Sequence, residues 1–140
     1  MVVDELVETL CEEAEEFMIE LISEERKGGI LFKEKKIHIN PDYWEERDIT
    51  FLHEMAHYHL NCVEYIGMNR QFEEKYVENI AKNLLESSEN KDYVLNYLEG
   101  RSLNFQFEEE YVENIAENLL DFSEEKDYIL NYLEGRLSND

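Results

Sequence analysis

A chain of 140 residues has room for one domain with a genuine hydrophobic core and too little for two independent ones. Its 35 acids against 13 Lys and Arg give a formal charge of −22, a surface that repels phosphate backbones and anionic lipid and so argues against nucleic acid or membrane as partners. The apolar content of 43%, with nine Tyr and seven Phe, argues against a disordered chain.

Residues 4–27 carry Leu6, Leu10, Ala14, Met18, Leu21 and Ile22 at three- and four-residue spacing with acids between them. That periodicity predicts one amphipathic helix, stopped by Gly28 and Gly29. Asp4 and Glu5 interrupt any N-terminal apolar run, so no signal segment is expected. The expected compartment is the cytoplasm, with Cys11 and Cys62 as reduced thiols. Ile30 to Lys33 and Lys36 to Asn40 read as two short strands of a hairpin joined around Glu34 and Lys35.

Asn40 before Pro41 is a helix-start signal, and a short helix is expected there. A longer helix should run from about Asp48 to Val63, with Ile49, Leu52, Met55, Ala56, His59, Leu60 and Val63 forming its core-facing stripe. Beyond it the chain repeats itself. Gln71 to Arg101 recurs as Gln106 to Arg136 with six differences over 31 positions. Each copy reads as two helices, the first from Phe72 or Phe107, the second capped by Ser88 or Ser123 and stopped by Gly100 or Gly135. Two copies fall below the three or so that a solenoid needs.

The chemistry is concentrated in His53-Glu54-Met55-Ala56-His57. On a helix the two imidazoles lie one turn apart on neighbouring azimuths, a spacing that suits two ligands of one tetrahedral zinc. Glu54 is rotated away from both, where its carboxylate can take a proton from a water without binding the metal. The set needs a third side chain. In the zincins, which this motif resembles, that ligand is another His in one class or a Glu on the following helix in the gluzincins; no His lies downstream of His59, so the resemblance implies a Glu. On the first repeat helix Tyr76, Val77, Ile80, Ala81, Leu84 and Leu85 form the buried face, with Glu73 near its middle and Glu74 near its edge. Either carboxylate would need a partner, and a divalent cation would satisfy one of them.

Three stretches, residues 31–40, 50–60 and 74–85, together resemble the ImmA/IrrE metallopeptidases, a gluzincin family in which a strand ending Ile-x-Ile-Asn precedes the HExxH helix. The small size also resembles the archaeal minigluzincins. The resemblance covers roughly residues 28–86. It implies Glu74 as the third metal ligand, with Ala81, Leu84 and Leu85 agreeing with the family pattern, while Val77, Glu78 and Ile80 stand in place of its usual Ala, Asn and Phe. Glu109 repeats Glu74 and is the alternative ligand.

The expected architecture is therefore α+β: an N-terminal helix, a small hairpin or three-stranded sheet, the HExxH helix, and C-terminal helices in two tandem copies. Residues 1–101 would form a minimal catalytic domain, and 102–140 a duplicate of the helical segment, packed on the core or exchanged with it. The expected activity is zinc-dependent peptide hydrolysis on a peptide or protein substrate, in an active or a latent form. The strand carrying Ile37, His38 and Ile39 is expected to rim the cleft and pair with an extended peptide. Tyr58, Tyr76 and Tyr111 are candidates for a phenol that stabilises the oxyanion. His59, in the centre of the stripe, reads as a hydrogen-bonded core residue. The alternative reading is a latent or non-catalytic metal-binding protein that acts through its acidic repeats, as a homodimer or by exchange of repeats.

Overall fold

The computed structural model describes residues 2–62, 69–121 and 123–138. The chain is α+β, and it divides into two compact units, Met1–Asn104 and Phe105–Asp140. In the first unit α1 (Glu5–Ala14) is capped by Asp4, whose side chain accepts from the Leu6 amide at 2.9 Å. Glu5 and Glu8 in its first turn suit the positive end of the helix dipole. Its face of Val7, Leu10, Cys11 and Ala14 is buried.

The helix expected to reach residue 27 ends at Ala14, and β1 (Met18–Leu21) follows. Two things overrule the periodicity. Phe17, Ile19 and Leu21 also alternate with a period of two, which a strand can use. The guanidinium of Arg101, far along the chain, donates to the carbonyls of Ala14 (3.0 Å) and Phe17 and so satisfies the end of the helix.

Next come β2 (Gly28–Leu31) and β3 (Lys36–Ile39), which form the expected antiparallel hairpin, with the first strand shifted to include both glycines. The turn between them holds Lys35 at φ 57°. β1 pairs with β3 in parallel, giving the order β1-β3-β2. Gly28 is needed where it stands: a Cβ there would lie 2.4 Å from Thr50 Cγ2 and 2.7 Å from the His38 carbonyl. Only a bare backbone lets β2 lie so close to the next helix.

Asn40 is buried and ties the next stretch together. Its Oδ1 accepts from the Asp42 amide at 2.9 Å, starting a short 3₁₀ helix over Pro41–Glu46, and its Nδ2 donates to the carbonyls of Glu24 (2.7 Å) and Arg26 (2.9 Å). Helix α2 spans Arg47–Cys62. Its buried apolar face is Phe51, Leu52, Met55 and Ala56; Ile49, His59 and Leu60 are half-buried, and Val63 lies outside the described residues. The stripe is thus turned toward Phe51, whose ring sits 5.6 Å from that of Tyr97.

α3 (Arg70–Leu84) is capped by Asn69, and α4 (Ser88–Gly100) by Ser87, one residue before the expected cap. α3 buries Val77, Ala81 and Leu84, while Tyr76 is exposed and Ile80 and Leu85 pack at the margin of the core. Gly100 is the last residue of α4, and the left-handed turn falls on Ser102, at φ 64°. The second copy forms α5 (Leu103–Leu120) and α6 (Ser123–Ser138); α5 begins four residues before Phe107, and α6 runs through Gly135, because a lone glycine weakens a helix without ending it. Leu103 belongs to the core of the first unit. Among the described residues of the second unit no side chain is buried. No described helix is long and apolar enough to cross a membrane.

Candidate metal centre

The packing of α3 on α2 brings together groups that are 16 to 21 residues apart in sequence. His53 Nε2 lies 3.2 Å from one carboxylate oxygen of Glu74, and His57 Nε2 lies 3.0 Å from the other. One ligating atom from each of His53, His57 and Glu74 falls within 4.8 Å of the others, so the group could hold a metal ion. Asn69 fixes where α3 begins, its side chain accepting from the Phe72 amide at 2.9 Å, and thereby sets the register of Glu73 and Glu74.

Glu73 is the functional neighbour that sequence reasoning placed without assigning it a role. Its Oε2 lies 3.3 Å from His57 Nδ1. Both ring nitrogens of His57 therefore face carboxylates, on a side chain that is only 11% exposed. A neutral imidazole has one proton and can satisfy one of them. The His57 Nε2 lone pair and Glu74 would together hold a cation, which would leave the ring proton for Nδ1 and Glu73. The residues present fit a metal for that reason as much as for their spacing.

Glu54 lines the same cleft, whose volume is about 790 Å³ and whose walls include residues 25–32 of the β2 segment, His38 and Thr50. Burial, reinforced by the Glu74 carboxylate and opposed by Arg26, pushes the Glu54 carboxyl up to about 7. His53 is held below the usual imidazole range, first by burial and then by the neighbouring His57, with Glu74 opposing. No family model matches the chain, and no curated protein or solved structure matches it either.

The strand expected to rim the cleft is corrected. β3 is hydrogen-bonded on both sides, so its backbone has nothing left for a peptide, and the fully buried Ile37 and Ile39 belong to the core. Alternation along the strand turns only His38 toward the cleft. The sheet edge beside the cleft is β2. Of the tyrosine candidates, Tyr58 and Tyr76 do not line it: Tyr58 accepts from Lys35 Nζ at 2.8 Å within a cluster with Phe17 and Phe32, and Tyr76 is exposed; the side chain of Tyr111 lies outside the described residues. Tyr43 lines the cleft, with Lys27 Nζ 5.5 Å from its ring. His59 is hydrogen-bonded, as expected, with Nδ1 2.7 Å from Glu13 Oε1. Glu108 and Glu109, the counterparts of Glu73 and Glu74, are exposed on α5, and among the described residues the group that could hold a metal is His53, His57 and Glu74.

Proposed function

We propose that this chain is a zinc-dependent metallopeptidase of the gluzincin kind, related to the ImmA/IrrE enzymes and minigluzincins, with His53, His57 and Glu74 holding the metal and Glu54 as general base. The observation that carries the reading is the convergence of two imidazole nitrogens and one carboxylate beside Glu54 in a single cleft. Bound zinc would supply Lewis-acid polarisation of the scissile carbonyl and a water acidic enough to be activated near neutral pH. Glu54 accepts the proton of the attacking water and hands it to the leaving amine. The edge of β2 gives an extended peptide a row of main-chain partners, and Gly28 brings that edge close to α2 and Glu54.

The test is Glu54→Gln in the full chain, assayed on a mixture of quenched fluorescent peptides with zinc content measured alongside. Hydrolysis should fall by roughly 100-fold or more with zinc retained. Intact hydrolysis in the variant, or a wild-type protein that takes up no zinc, would sink the reading. A second reading, a latent or non-catalytic protein acting through its acidic repeats, is favoured by the exposure of Phe105, Val112, Tyr128 and Tyr132 in the second unit. Light scattering that finds assembly while zinc-loaded protein cleaves nothing would select it.

A further inference from the structure

We infer that Glu73 is a positioning residue for the metal centre: it holds the proton of His57 on Nδ1 and fixes the ring, so that Nε2 points at the metal position with its lone pair free. The inference rests on the function proposed above and adds to it a residue outside the ligand set. Three observations carry it. The Glu73 carboxylate meets the nitrogen of His57 that does not face Glu74. The two acids, adjacent in sequence, differ in cover: the Glu73 side chain is 25% exposed and that of Glu74 53%, so Glu73 sits in the drier place where one hydrogen bond orients a ring most firmly. Glu73 lies in the first turn of α3, whose start Asn69 fixes by accepting from the Phe72 amide, so its place beside His57 is set by the helix cap.

An imidazole ligand needs a specified tautomer, because a proton on Nε2 blocks the lone pair that binds metal. At His57 the choice is open to contest, since a Glu74 carboxylate oxygen lies 3.0 Å from Nε2 and favours positive charge there. Glu73 settles that contest in favour of Nδ1–H, and Glu74 is then left to bind the cation. His53 has no such carboxylate among its hydrogen bonds; its sole ion-pair partner among the described residues is Glu74. The two histidines of the motif are thus oriented unequally, and His57 is the better prepared ligand.

Zinc affinity measured by competition with a chelating dye, on the full chain, tests this in wild type, Glu73→Gln, Glu73→Ala and Glu74→Gln, with the urea midpoint as a check on folding. Glu73→Gln keeps an oxygen that accepts from Nδ1–H and should weaken zinc binding by about 10-fold; Glu73→Ala should weaken it by up to about 100-fold. In the zinc-loaded protein the His57 Nδ1–H resonance should exchange slowly in wild type and quickly in Glu73→Ala at an unchanged urea midpoint, which a purely structural role would not produce. If wild type binds zinc, Glu74→Gln loses it and Glu73→Ala stays within two-fold of wild type, the role of Glu73 is overturned and the proposed function stands. If wild type binds no zinc, both fall.

Discussion

Two stretches of this molecule have nearly the same sequence and opposite surroundings. In the first copy Val77, Ala81, Val94 and Leu98 are buried, and Tyr97 and Arg101 reach the end of α1, where Arg101 holds the Ala14 and Phe17 carbonyls. In the second copy Val112, Leu119 and Leu133, the counterparts of Val77, the buried Leu84 and Leu98, are 63%, 42% and 49% exposed, and among the described residues Arg136 donates to the Tyr132 hydroxyl, at 3.4 Å. Sequence periodicity specifies which face of a helix is apolar. It does not specify whether anything covers that face, because cover comes from other elements, which for the first copy are α1 and α2.

Pairs of matched substitutions sharpen this contrast. The largest difference is expected in the core: Leu98→Ala should cost about 2–5 kcal/mol in urea denaturation, through lost burial and a cavity, whereas Leu133→Ala should stay within about 0.5 kcal/mol. Equal losses would mean that both copies are equally covered. At the metal, Glu74→Gln should lower zinc affinity by about 100-fold, or about 2.7 kcal/mol, and Glu109→Gln by less than two-fold; the reverse order would hand the ligand role to the second copy. Arg101→Ala removes the guanidinium from two main-chain carbonyls, leaving that of Ala14 with the Phe17 amide, and should cost about 1–3 kcal/mol, against no measurable loss for Arg136→Ala.

A last contrast, silent at neutral pH, concerns the cysteines. Cys11 is buried on α1, against which α4 of the first copy packs, whereas Cys62 is exposed. At pH 8 a thiol reagent should therefore titrate one group in the native protein and two in urea. Burial, with Glu15 adding to it, raises the Cys11 thiol from 9.0 to about 12. The folded state keeps the thiol neutral where the unfolded chain would ionise it. Its contribution is therefore complete below pH 9 and is lost between pH 9 and 12, at about 1.4 kcal/mol per pH unit. A Cys11→Ser variant should lack that slope, and a wild type without it would place Cys11 in contact with solvent.

Much of the site was legible because it is local. The spacing of His53, Glu54 and His57 puts two imidazoles and a carboxylate on one turn and a half of any helix, whatever surrounds it, and the cap at Asn40 and the hairpin before it are equally short-range. The helical projection also marked Glu73 and Glu74 as carboxylates in need of a partner. What it could not supply was which of them meets which imidazole nitrogen, since that depends on the distance and rotation between α2 and α3.

The parts decided only by the tertiary structure are those that depend on a neighbour far away in the chain. Residues 15–27 carry a helical period, yet they leave the helix because β3 offers Met18 to Leu21 a ladder and Arg101 takes the carbonyls of Ala14, the last residue of α1, and of Phe17 beyond it. β3 is central because β1 claims its second side, and for that reason Ile37 and Ile39 are core residues and the sheet edge beside the cleft is β2. By itself the sequence determined the motif, the α+β class and the two like repeats. Which repeat is buried, which strand faces the cleft and which glutamate meets which nitrogen were decided by packing, because burial and hydrogen bonding are properties of pairs of surfaces and a sequence pattern describes one surface at a time.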